Sequence, residues 1–170
     1  TVLYVNGAYW GLHNLRERLD RKELARRLGV KPKRITILAD RLELYEGDSA
    51  ERKAFARFLT RSERWEPGGD AFIDSLERYM DVDEFMRYMS AQIIFGNTDW
   101  PEQNGKWYRY TGRPDSVPGP RDGRWHFLMG DSDLSFGLTV GPAFDMFAHV
   151  DRHASAPLSR LLKACLRSPA

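Results

Sequence analysis

Cysteine is almost absent: Cys165 stands alone in 170 residues, which excludes an intrachain disulfide and any cysteine-based zinc site. No apolar run approaches the roughly 18 residues of a membrane-spanning helix. The first residues also lack the basic-then-apolar order of a secretory leader. An excess of one charge is missing too. Against 26 basic residues stand 24 acidic ones, a formal net charge of +2, which argues against a dedicated nucleic-acid binder. Internal repeats and low-complexity tracts do not occur. What the chain does have is 42% hydrophobic residues, enough at this length for one sizeable core. It opens on Thr1-Val2-Leu3-Tyr4-Val5, which reads as the middle of a sheet, and is expected to be a piece of something longer, truncated at both ends.

Turn and cap residues divide the chain. Val2 to Val5 and Tyr9 to His13 read as two strands joined at Asn6-Gly7, a pair that accepts the positive φ a tight hairpin turn requires. A helix is expected from Asp20, with Leu24, Ala25 and Leu28 on one face and Gly29 as its stop. Basic residues gather between Arg16 and Arg34, either as a solvated face or as a place for phosphate groups. Ile35 to Leu38 is a short strand. Asp48 or Ser49 caps a helix carrying Phe55, Phe58 and Leu59, and Pro67-Gly68-Gly69 marks a loop. Phe72, Leu76 and Met80 define a further helix. Asp81 or Asp83 opens another, with Phe85, Met86, Met89, Ile93 and Ile94 as its apolar stripe. Lys106 to Tyr110 and Trp125 to Met129 alternate as a strand pair, joined by a Pro/Gly-rich stretch, 111–123, expected to be a mobile insertion. Leu158, Leu161, Leu162 and Leu166 close the chain with an amphipathic helix.

Two acidic loops flank that strand pair. The first, Gly96 to Asn104, contains Asp99 and Asn104 in the order D-x-x-x-x-N; the second, Gly130 to Gly137, contains Asp131, Asp133 and Phe136-Gly137. The first interval is that between base and metal-binding amide in protein-kinase catalytic loops, and an acidic loop beyond a hairpin is where kinases place a metal-binding aspartate. Phosphoryl transfer needs a carboxylate beside the accepting hydroxyl and hard oxygen ligands for Mg²⁺. Asp99 suits the first task, and Asn104 with Asp131 or Asp133 the second. Each residue alone fits an ordinary Asx turn equally well; the ordered set is what points to chemistry.

Other constellations carry less. His149 and His153, four apart with Asp145 and Asp151 nearby, lack a third zinc-ligand pattern. His13 and His126 read as strand residues with ordinary packing or surface roles. Ser132 and Ser135 lack a nucleophile elbow. A glycoside-hydrolase pair of carboxylates leaves the D-x-x-x-x-N spacing unexplained. Trp100, Trp107, Trp125, Tyr108 and Tyr110 read as core and cleft walls rather than a base-stacking platform.

The ordered pieces resemble the CotH family, the spore-coat-protein-H-like atypical protein kinases. Tyr4 to Glu17, continuing into Arg18-Leu19-Asp20, resembles the family's hairpin hNGxYxGxYxLxExID. Asn97-Thr98-Asp99 with Asn104 resembles its loop NxDxxxxN. Trp125 to Gly137 resembles WxxxPWDxDxxFG, and Leu158 to Arg167 is similar to the helical stretch downstream. The resemblance implies an α+β, atypical protein-kinase-like fold. Residues 1–45 would belong to the small lobe, and 46–170 would form a mainly helical catalytic core carrying the 106–129 hairpin. It further implies ATP and Mg²⁺ or Mn²⁺ as cofactors, Ser/Thr hydroxyls of a protein substrate as acceptors, Asp99 as the catalytic aspartate, and Asn104, Asp131 and Asp133 on the metal side. Glu17 would stand on the nucleotide side, paired with a phosphate-binding lysine carried upstream of these residues. Spore coat, envelope or secretion is the location the family implies; the charge balance and the short apolar runs are the reasons to expect no nucleic-acid partner and no membrane span. An adhesion or binding module on the same fold is the competing expectation. Gly130 departs from the pattern, standing where the family usually has tryptophan.

Overall fold

A computed structural model describes residues 1–13, 18–65 and 70–166. Both Glu17 and the loop expected at Pro67-Gly68-Gly69 lie outside the described residues. The fold is mixed helix and sheet, in the order β1 (Val2–Val5), β2 (Ala8–Leu12), α1 (Arg21–Leu28), β3 (Ile35–Ala39), β4 (Glu43–Glu46), α2 (Ser49–Ser62), α3 (Asp70–Glu77), α4 (Val82–Phe95), β5 (Lys106–Tyr110), β6 (Trp125–Leu128), α5 (Met146–Arg152) and α6 (Pro157–Leu166). Strands β1 and β2 form a separate antiparallel ribbon, turning at Asn6 and Gly7 with φ of 50° and 82°. The other four form one antiparallel sheet ordered β4-β3-β5-β6. That sheet takes strands from both sides of residue 45.

The period of two along the central strands explains the layering. Leu38 and Trp107, with Trp125 and Phe127, face a large core built from α2, α4 and α6. Ile35, Ile37 and Tyr108 face Leu24 and Ala25 of α1 on the other side. Strand β3 is therefore buried along its whole length, and the sheet is filled between one short helix and a helical layer. The indoles of Trp100 and Trp107 are completely buried; each such burial contributes on the order of 3 kcal/mol.

Local chemistry sets the helix ends. Asp20, Asp48 and Asp81 accept backbone N–H groups at the starts of α1, α2 and α4, while Gly29 and Gly96 end α1 and α4 in the left-handed conformation. Gly47 has φ of 118° and lies so close to Thr36 that a Cβ would come within 2.6 Å of its Cα. Only glycine fits there.

Four expectations change. Met80 is buried but lies beyond α3, bridging to Trp125. Ile94 is 79% exposed and does not belong to the buried stripe of α4; the completely buried polar residue Gln92 does. The 111–123 connection is tied down rather than loose. Tyr108 Oη donates to the Pro120 carbonyl, Arg109 Nε to that of Gly123 at 2.6 Å, and Arg121 Nη1 to that of Leu28.

His126, finally, is no ordinary packing residue. It is 3% exposed, with Nδ1 2.6 Å from Glu84 Oε2 and Nε2 3.1 Å from Asp122 Oδ1. Glu84 also accepts the Phe127 N–H, and Arg124 pairs with Asp122, Asp81 and Glu77. Burial lowers the imidazole's pKa, but the two carboxylates outweigh it and the net shift is upward. A raised folded-state pKa gives stability that is fully present below the unfolded value and fades as pH rises through the folded one. Stability measured by urea unfolding should therefore decline as pH climbs above about 6.5. His126→Gln should flatten that slope; an unchanged slope would place the titration elsewhere.

Candidate active site

The first acidic loop begins where α4 ends. Gly96, at φ 64°, donates to the carbonyls of Gln92 and Ile93 and turns the chain out of the helix. Asn97 follows and is completely buried. Its Nδ2 donates to Gln92 Oε1 at 2.9 Å and to the Asp131 carbonyl at 3.2 Å, while its Oδ1 accepts the Asp99 N–H at 3.3 Å. One amide thus joins the helix, the first loop and the second loop. Thr98 reinforces the junction: its N–H donates to the Leu134 carbonyl at 3.3 Å, and its hydroxyl lies 2.7 Å from that of Thr139. Phe136 N–H donates to the Phe95 carbonyl at 2.7 Å.

Asp99 and Asn104 meet directly. Asn104 Nδ2 donates to Asp99 Oδ2 at 3.0 Å, and the Gln103 N–H donates to the Asp99 carbonyl at 3.2 Å. Asn104 sits at φ 59°, a conformation asparagine tolerates better than most residues. Trp100 roots the loop in the core, and His149 Nε2 donates to its carbonyl at 2.7 Å. That bond commits Nε2 to carrying a proton. Burial, helped by the nearby Arg152 charge, lowers the His149 pKa against the opposing effect of the bond to the Trp100 carbonyl. This histidine supports the loop from behind. Among the described residues no group of three or more His, Cys, Asp or Glu side chains is gathered as a metal site, so the His149/His153 pair does not make one.

The same statement holds for Asp99, Asp131 and Asp133: their loops are joined, but the three carboxylates do not form an all-protein cage. Asp131 and Asp133 are exposed, and the Asp133 N–H reaches Asp131 Oδ1 at 3.4 Å. Their oxygens are of the hard type that Mg²⁺ or Mn²⁺ take, although among the described residues they make up no group of three that could hold an ion by itself. Such ions take hard oxygens, commonly one or two carboxylates, and complete their shell with water and substrate phosphates. Asn104, whose Nδ2 is held by Asp99, keeps its Oδ1 as a further oxygen.

Two contributors were not read from the sequence as site residues. Asn97 is the hub just described. Asp40, at φ 49°, donates its N–H to the Gly105 carbonyl at 2.8 Å. Burial and the Glu43 charge raise the Asp40 pKa against the opposing amides of Gly105 and Asn104. The signal available in the sequence is an Asp directly after the apolar stretch Ile35 to Ala39. Gly130 also touches this region: a Cβ there would stand 3.1 Å from the Asn104 carbonyl oxygen. A tryptophan at 130 would therefore require the Asn104 backbone to move.

No curated protein and no solved structure matches the chain. The family model described as CotH kinase protein matches residues 1–166, nearly the whole length, and the chain belongs to that family.

Proposed function

We propose that this chain carries the catalytic and metal-binding loops of a kinase-like fold that moves the γ-phosphoryl group of ATP to Ser or Thr hydroxyls of a protein. The observation that carries the proposal is the bond from Asn104 Nδ2 to Asp99 Oδ2, on a loop tied through Asn97 to the Asp131 segment. In the reaction the acceptor oxygen forms a bond to Pγ, the bond from Pγ to the ADP oxygen breaks, and the hydroxyl proton passes to a base. Asp99 is that base. Asn104 fixes which carboxylate oxygen faces the acceptor. Asp131 and Asp133, with the Asn104 amide oxygen, would hold Mg²⁺ or Mn²⁺; the ion supplies charge neutralisation on the phosphates when bound. Glu17 is assigned to the nucleotide side on family position alone. Residues 1–45 are the small-lobe part and 46–170 the catalytic core in this reading.

The test uses the full-length protein with γ-labelled ATP, a Ser-rich peptide and Mg²⁺. Label should appear on Ser or Thr and vanish with a chelator. A binding or adhesion module on the same fold would show neither metal-dependent nucleotide binding nor transfer, and that outcome would reject the kinase reading.

A further inference from the structure

At the far end of the sheet from Asn104 lies an open depression of about 680 Å³. Four cationic residues line it: Lys31, Arg34, Arg113 and Arg121. Arg121 is already occupied, paired with Asp115 at 2.9 Å and bonded to the Leu28 carbonyl. The other three are exposed, and among the described residues no carboxylate pairs with them. Elsewhere in this region acids do accompany bases, since Glu23 holds both Arg26 and Arg27. Three charges with no carboxylate partner among the described residues line one concavity, in a chain with a net charge of only +2, and form a local field for an anion.

The lining also has a close backbone approach: a Cβ on Gly112 would fall 2.1 Å from Tyr110 Oη, so the bare backbone at 112 makes room for that hydroxyl, and both residues line the depression. Arg34 and Tyr110 are fixed by the β3–β5 ladder, in which the Thr111 N–H donates to the Arg34 carbonyl at 2.7 Å. Two guanidinium groups and one ammonium suit a dianionic phosphate monoester, which accepts paired N–H donors. Val30 is the one aliphatic residue in the lining, which leaves no apolar rim for a lipid surface. With four cations in the lining, one of them paired with Asp115, the depression offers few contacts to a nucleic-acid backbone, which is held through many phosphates.

We propose that this depression binds a phosphoryl group carried on a polypeptide, that is, a phosphoserine or phosphothreonine of a protein partner. At about 3.3 Å per residue, Lys106 to Tyr110 spans about 13 Å, so the pocket is separate from the Asp99 loop. Binding does not depend on catalysis. If the chain is also a kinase, such a pocket would favour substrates already bearing a phosphate, a consequence that rests on the kinase reading.

The experiment measures anisotropy of a fluorescein-labelled Gly-Gly-phosphoSer-Gly-Gly peptide with the full-length Asp99→Asn protein, without ATP. The phosphopeptide should bind at least about tenfold more tightly than its Ser counterpart and weaken with salt. Arg34→Gln with Arg113→Gln should remove that difference. Arg52→Gln with Arg57→Gln, the same charge removed from the exposed face of α2, should leave it intact. Backbone NMR of the unsubstituted chain should show the Gly112 amide moving on titration, a readout independent of any variant. Equal binding of the Ser and phosphoSer peptides would overturn the proposal, as would equal losses in the pocket and control variants. So would tighter pocket-dependent binding of inorganic phosphate, an RNA oligonucleotide or phosphatidylserine vesicles than of the phosphopeptide.

Discussion

Asn in place of Asp99 should lower phosphoryl transfer by about 10²- to 10⁴-fold, the range over which a positioned proton acceptor contributes. The substitution is nearly isosteric and retains an oxygen that can accept from Asn104 Nδ2. The bond from the Asp99 N–H to Asn97 Oδ1 belongs to the backbone and survives. Folding should therefore be almost unaffected, with a melting temperature within a few degrees of wild type. Nucleotide affinity should change little, because proton acceptance matters in the transition state rather than in nucleotide binding. The decisive readout is single-turnover transfer to a saturating Ser-rich peptide. Wild-type turnover by the Asp99→Asn protein would remove Asp99 from the base role. A loss accompanied by unfolding would show that the carboxylate is structural.

Much of this framework is visible in the residues themselves, because caps and turns act locally. Asp20, Asp48 and Asp81 announce helices through the N–H groups they accept, and Asn6-Gly7 announces a hairpin through its tolerance of positive φ. Strand β4 escaped because Glu43-Leu44-Tyr45-Glu46 carries few strand formers and follows a turn at Asp40 and Leu42, both with positive φ. Leucine in that conformation has no sequence signature. On α4 the apolar count misleads. At 100° per residue Ile94 lies about 180° from Phe85, whereas Gln92 lies about 20° from it and so in the middle of the buried face. A polar residue centred on an apolar stripe was the available clue that something must be held there. His126 gave none, since Glu84 reaches it from 42 residues away. In the site, the D-x-x-x-x-N spacing puts Asp99 and Asn104 on one short loop, and the structure adds a direct bond between their side chains that the spacing does not specify. The tether to the second loop runs through a side chain whose partners are 5 and 34 residues distant, and pattern reading has no access to that.

That tether leads to the other large effect. Asn97→Ala should destabilise the protein by about 2–3 kcal/mol and reduce transfer by about 10²-fold, although Asn97 is completely buried and is assigned no contact with substrate. The stability loss comes from what remains behind. Gln92 Oε1 loses a fully buried donor, the Asp131 carbonyl loses a partly buried one, and the partly buried Asp99 N–H loses its acceptor. The activity loss has a different origin: this amide is the link nearest Asp99 and Asp131 among those that join the two loops, and a shift of about 1 Å at reacting groups costs about two orders of magnitude. Asn97→Asp separates the two effects. It keeps an acceptor for the Asp99 N–H but removes the donor to Asp131, and it adds a buried charge beside Gln92 Oε1. Asn97→Ala and Asn97→Asp should both raise the metal concentration needed for half-maximal transfer, because the Asp131 segment loses its bond to the Asn97 amide and keeps the Thr98 and Phe136 bonds farther along the loop as links to the first loop, whereas Asp99→Asn should not. If the Asn97 variants lost stability yet kept wild-type transfer and metal dependence at a temperature where they remain folded, the two loops would be working independently, and the coupling inferred from the Asn97 amide would be wrong.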